Sequence, residues 1–184
     1  MKKTYNELAA ECHANNTKWW TDLETGERLV RNKGELLMLV ISEIAEAMEA
    51  ERKGLMDDKL PHRPGAEVEL VDGVIRLADF AGGFGYDLSV YQTGYTDYIE
   101  LPENKGEALL RICNNVQDIY LHCDHDSDPE LVALMIGETL DYIEAYARKW
   151  GYDLDGAYGE KTAFNKVRKD HTAEHRKAAG GKKW

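Results

Sequence analysis

The chain has 184 residues, 43% of them hydrophobic, and carries 34 acids against 23 Lys and Arg for a net charge of −11. That length supports one sizeable core and makes a single domain the default, while an acidic body disfavours nonspecific binding to nucleic acid. No stretch reaches the roughly 18 apolar residues of a membrane span, which argues against a membrane partner.

The N-terminus, Met1-Lys2-Lys3-Thr4, leads into a polar amphipathic segment rather than the apolar region of a signal peptide. Cys12, Cys113 and Cys123 are odd in number and outside any CxxC arrangement, so they read as reduced buried thiols and the expected location is cytoplasmic. Four prolines, spread widely, favour long helices. The charge is uneven, because residues 161–184 hold eight Lys or Arg against two acids. That basic end either helps attract a phosphate-bearing ligand or is a solvated tail finishing in Gly180-Gly181-Lys182-Lys183-Trp184.

Helical spacing of apolar residues predicts a first helix from about Thr4 to Asn16, followed by Trp19 and Trp20. Residues 22–32 read as a loop or short hairpin around Thr25-Gly26. A second helix spans about Lys33 to Lys53, with Leu36, Leu37, Val40, Ile41, Ile44, Ala45 and Met48 as its apolar stripe and Gly54 as its stop. The connector 56–64, closing in Pro61-His62-Arg63-Pro64, is too proline-rich to be helical. A third helix spans about Ala66 to Phe84, and a variable stretch with Tyr91, Tyr95 and Tyr98 leads to Pro102. Two more helices are expected, from about Gly106 to His122 and from Glu130 to Trp150.

The second half echoes the first. Gly34-Glu35-Leu36-Leu37 is matched by Gly106-Glu107-Ala108-Leu109-Leu110, and Gly85-Tyr86-Asp87-Leu88 recurs identically as Gly151-Tyr152-Asp153-Leu154. Acid pairs recur in weakened form as Asn115 with Asp118 and Glu138 with Asp141. These echoes suggest a tandem duplication of a helical hairpin. The expected fold is all-α, a bundle of four or more helices forming one domain: a metal-bearing half over 1–90, a degenerate second repeat over 105–170, and a basic tail over 171–184.

Chemistry concentrates in two carboxylate pairs, Glu43 with Glu46 and Glu69 with Asp72. Residues three apart on a helix share a face, about 5–6 Å apart at Cβ. Single pairs of this kind are usually solvated, but Glu43 and Glu46 lie beside Ile41 and Ile44, and Glu69 and Asp72 lie among Val68, Leu70, Val71 and Val74. Acids are seldom placed beside a packing face without a partner. If the two helices pack antiparallel, four carboxylates converge, and a hard divalent cation, Mg²⁺ or Mn²⁺, is the usual compensation.

The segment Ser42 to Gly54 (SEIAEAMEAERKG), followed after the connector by Glu67 to Leu88 (EVELVDGVIRLADFAGGFGYDL), resembles the MazG-like all-α nucleoside triphosphate pyrophosphohydrolases, a superfamily that includes the dimeric dUTPases. Its hallmark is E-x-x-E, a gap, which is 22 residues here, and E-x-x-D. Lys161, Asn165 and Arg168 match the K-x-x-x-N-x-x-R trailer often seen after the last helix of that domain. Two departures stand out. Ser42-Glu43 replaces the Glu doublet of many members, with Glu49 a turn beyond Glu46 as an open substitute, and Asn115 replaces a Glu in the second half.

The resemblance implies Mg²⁺-dependent hydrolysis of an NTP or dNTP to the monophosphate and pyrophosphate, with Glu43, Glu46, Glu69 and Asp72 as metal ligands and Glu43 or Glu46 as general base. Lys53, Lys59, Arg63, Lys161 and Arg168, with Arg52 as a further cation, are then either phosphate contacts or plain surface cations, and Asn165 either bonds the sugar or a phosphate or is a helix-surface amide. A homodimer or homotetramer is implied as well. Trp19 and Trp20, with Asn16 nearby, either stack the nucleobase or close the end of the bundle. Asp79 either extends the acidic site or lies on the surface. The run His122, Cys123, Asp124, His125, Asp126 and Asp128 lacks the spacing of a structural zinc site and reads as a helix end and acidic loop. A di-iron bundle is disfavoured, because no histidine stands three residues after an acid. The non-enzymatic alternative is a scaffold or nucleotide-binding protein that keeps the acids without turnover.

Overall fold

The structure, a computed structural model, describes residues 1–91, 98–124 and 128–181. Tyr95, His125, Asp126 and the last three residues of the basic tail lie outside the described residues. Helices account for all the long elements: α1 (Tyr5–Asn16), α2 (Lys33–Lys53), α3 (Gly65–Phe84), α4 (Lys105–Asp124), α5 (Pro129–Trp150), α6 (Leu154–Val167) and the single turn α7 (Ala173–Lys177). No described helix is long and apolar enough to cross a membrane.

Local sequence accounts for most of the boundaries. Thr4 and Glu7 form a reciprocal capping box at the start of α1. Asn32 caps α2 through the Glu35 amide, and Asp128 caps α5 with Pro129 in its first turn. The repeated Gly-Tyr-Asp-Leu segments act alike at both sites. Gly85 and Gly151 take φ of 76° and 77° after α3 and α5, a left-handed conformation in which a side chain would be strained. Tyr86 and Tyr152 then donate their amides back to the Ala81 and Ala147 carbonyls. Asp87 caps the turn Leu88–Val90, whereas Asp153 caps α6. The sequence pattern had offered residues 161–168 only as a trailer; Lys161 and Asn165 lie on this sixth helix.

Helix α3 is the centre of the bundle, packing against α1, α2, α5 and α6. It is apolar apart from Glu67 and one charged stripe, Glu69, Asp72, Arg76 and Asp79, and Val68, Leu70, Val71, Leu77, Ala78 and Ala81 are fully shielded. Helices α2 and α4 pack together, and α4 packs on α5, so α2 to α5 make a four-helix core flanked by α1 and α6. The α2 stripe is narrower than its spacing suggests: Val40, Ile44, Ala47 and Ala50 are buried, but Ala45 and Met48 are exposed. Residues 22–32 carry a tight turn at Gly26 and one bridge, Thr21 to Arg28, and the connector is closed by a bridge from Met56 to Pro64.

Where the second half echoes the first, its acids are satisfied differently. Asp141 is 1% exposed, and its carboxylate accepts the hydroxyls of Tyr5 and Tyr91. Tyr5 also donates to Glu144, which meets the N-terminal ammonium.

Candidate functional site

Helices α2 and α3 run antiparallel, and Gly73 lets them close up at the acids: a Cβ there would lie 3.3 Å from Ile44 Cδ1. That approach brings one oxygen each from Glu43, Glu69 and Asp72 within 4.8 Å of one another. Glu43 is buried, and Glu69 and Asp72 are half-buried. Glu46, one turn along α2, lines the same cavity but is exposed and stands outside that trio. Three of the four expected acids therefore converge, and the fourth borders them. Oxygen-only donors at this spacing suit a hard divalent cation such as Mg²⁺.

Two cations of the chain already meet the trio. Lys161 Nζ is 2.8 Å from Asp72 Oδ2, and Arg76 Nε donates to Glu43 Oε1. Burial, followed by the charges of Asp72 and Glu43, pushes the Glu69 carboxyl up to about 8. Burial also raises Asp72, outweighing the pull of Lys161. Lys161 is 3% exposed; burial opposes its charge, but Asp72 more than restores it, so the ammonium is held above its ordinary range.

The acids occupy one end of a cavity of about 480 Å³. At that end the connector contributes Asp57, Asp58 and Lys59. Asp57 is buried and shapes the loop by accepting the Lys59 and Leu60 amides, and Lys59 pairs with Asp58. Leu39, Ile75 and Asn165 line the cavity between its ends. Successive turns of α2 and α3 then lead to Leu36 and Asp79, and with them Asn16, Trp19, Arg31 and His171 line the far end. Ten residues of α2, from Glu46 to Leu36, span about 15 Å.

Several expected contacts fall elsewhere. Trp20 does not line the cavity: it is 4% exposed, packs on Gly83, and donates Nε1 to Asp79 at 3.0 and 3.1 Å. Asp79 also meets His13 Nδ1 at 2.9 Å, so it neither extends the acid trio nor lies on the surface. Burial raises its carboxyl despite both bonds. Lys53 and Arg52 hold Glu49 at the exposed end of α2, which removes all three from the site. Arg63 is bound to Glu67 and Glu160 and ties the connector to α6. Asn16, Trp19, Lys59, Lys161, Asn165 and Arg168 do line the cavity, and Arg168 also pairs with Asp170. Ser42, standing where a second Glu was expected, lines the cavity too but gives its hydroxyl to the Leu39 carbonyl.

Sequence reasoning did not single out Arg31, Arg76, Asp57 or His171. Arg76 had a signal, since it stands four residues after Asp72 and so faces the same way. Arg31 had none: it donates to the Trp19 carbonyl and to Glu35, contacts set by how the loop before α2 folds back. Of the zinc-like run, His122 bonds to the Asp118 carbonyl and Asp128 caps α5, and His125 and Asp126 lie outside the described residues. Comparison with protein-family descriptions, with curated proteins and with solved structures finds no match to this chain.

Proposed function

We propose that the protein is a Mg²⁺-dependent nucleoside triphosphate pyrophosphohydrolase, converting an NTP or dNTP and water to the monophosphate and pyrophosphate. The observation that carries the reading is the convergence of Glu43, Glu69 and Asp72 at one end of a cavity whose other end is aromatic. A nucleotide has the same polarity, with phosphates at one end and a flat base at the other.

Glu43, Glu69 and Asp72 would hold the magnesium, with Glu46 beside them. Bound there, the ion supplies charge neutralisation to the phosphate oxygens and acidifies water. Glu46 is the general base we favour, because no described donor or cation holds its carboxylate and it faces the cavity. Its role is to take a proton as a water oxygen bonds to the α phosphorus and the bond to the α–β bridging oxygen breaks. Lys161, Arg76, Lys59 and Arg168 border the path of the triphosphate and balance the charge that gathers on the leaving pyrophosphate. Trp19 offers the stacking surface for the base, and Asn16 and Asn165 offer amide contacts to base and sugar.

The direct test is incubation with each NTP and dNTP in Mg²⁺ and measurement of released pyrophosphate. Turnover of at least one, lost on chelation of the metal, is the expected result. A folded protein that releases none from any of the eight would refute the assignment.

A further inference from the structure

The aromatic end of the cavity is walled by the segment that follows α6. After Arg168 the chain makes the turn Lys169–His171 and then α7, bringing His171 edge-on to Trp19 with ring centroids 5.3 Å apart. Arg176 adds a second hold on the same indole. Arg176 is 3% exposed, its guanidinium carbon stands 4.1 Å from the Trp19 ring centroid, and its Nη1 donates to the Lys18 carbonyl at 2.5 Å. It forms no ion pair among the described residues, and its buried Nε has no hydrogen-bond partner there.

A buried guanidinium ordinarily sits against a carboxylate, and one without it loses hydration that nothing restores in full. Stacking on an indole returns part of that loss, the more so when the pair is desolvated. A five-residue helix has no stability of its own. Residues 169–178 are thus held on the cavity by contacts to Trp19 and Lys18 rather than by helix stability of their own.

We propose that Arg176 is a latch and a positioning residue: by stacking on Trp19 it holds residues 169–178 over the aromatic end, fixes the indole plane against which the base lies, and lets the segment open for nucleotide to pass. The inference rests on the nucleotide reading of the site. It separates the two ends of the cavity, because the metal ligands lie on α2 and α3 and the phosphate-facing Lys59, Arg76, Lys161 and Arg168 on the connector, α3, α6 and the residue after it, whereas Arg176 meets Trp19 and the Lys18 carbonyl.

The test is calorimetry in Mg²⁺ with two probes, a panel of non-hydrolysable α,β-imido nucleoside triphosphates and inorganic tripolyphosphate. Against wild type, R176A should bind the imido nucleotide about tenfold more weakly, a loss of ~1.4 kcal/mol, while tripolyphosphate binding stays within about twofold. R176K, which keeps the charge but not the flat stacking group, should lose nearly as much. Equal loss for both probes, or no loss for either, overturns the latch. Hydrogen exchange on the unaltered protein gives an arm that needs no variant: amides of residues 173–178 should be slowed severalfold by the imido nucleotide and not by tripolyphosphate. Exchange there that ignores the nucleotide also overturns it. Should wild type bind tripolyphosphate but no imido nucleotide, the latch falls and the metal and phosphate end survives; should it bind neither, the hydrolase reading itself falls.

Discussion

Replacing Glu69 by Gln isolates the electrostatic strain at the site. Its carboxyl rises from the ordinary 4.5 to about 8 on folding, through burial and then Asp72 and Glu43. The native state therefore takes up a proton that the unfolded chain has released, so stability falls as pH climbs from about 4.5 to about 8 and levels off above that. At ~1.4 kcal/mol per pH unit the ceiling is about 5 kcal/mol. A Coulomb estimate gives about 3.5 kcal/mol for two charges 4.8 Å apart at an effective dielectric of about 20. Glu69 is only half-buried, and Lys161 and Arg76 offset part of the repulsion, so solvent screening reduces the expected gain to ~1–2 kcal/mol. In a chain of this size that is a rise of roughly 3–6 °C in Tm. Differential scanning calorimetry in EDTA should find Glu69→Gln level with wild type near pH 4 and more stable at pH 7 to 9. Mg²⁺ should stabilise wild type most at high pH and the variant little. A variant less stable than wild type at pH 9, or a difference that ignores pH, would refute the reasoning.

Three further outcomes follow from the geometry. Asp72→Asn and Glu46→Ala should each lower pyrophosphate release by ~100-fold or more while circular dichroism stays unchanged, the loss expected when a group acts on the transition state; activity within a few-fold of wild type in either would remove that residue from the chemistry. The neighbouring tryptophans should part company. Trp20→Ala opens a hole against Gly83 and strips Asp79 of its indole donor, costing ~3–5 kcal/mol in urea unfolding, whereas Trp19→Ala should cost about 1 kcal/mol and act on nucleotide binding. Tyr5→Phe should cost ~1–2 kcal/mol, because buried Asp141 and its neighbour Glu144 lose a shared hydroxyl, and thermal denaturation with Tyr91→Phe added should show a larger loss than either alone.

Helices α1 to α5 and the acid trio were legible because both follow from local periodicity, whereas α6 and α7 were not read as helices. Spacing of three on α2 and α3, together with Gly73 between them, suffices to bring Glu43, Glu69 and Asp72 face to face. Glu46 shows the limit of that logic, since it stands at the edge of the packed face and is exposed while Ala47 and Ala50 beyond it are buried. Cations were harder to place. Lys53, Arg63 and Lys161 look alike in sequence, yet their partners are Glu49, Glu67 with Glu160, and Asp72. For Arg63 and Lys161 those partners depend on where α6 crosses α3. Trp19 and Trp20 likewise differ only by which way a short turn directs them, one toward the cavity and the other onto Gly83.

On the proposed reading, the pairing of Lys161 with Asp72 and of Arg76 with Glu43 bears on the order of events in turnover. A free divalent ion would have to compete with two tethered side chains for the same oxygens, so its intrinsic affinity should be modest. A phosphate chain arriving with the ion gives the displaced ammonium and guanidinium somewhere to go. Ion and triphosphate should then load synergistically, each tightening the other, and the monophosphate that remains after pyrophosphate departs, having fewer anionic oxygens to engage them, should be released readily.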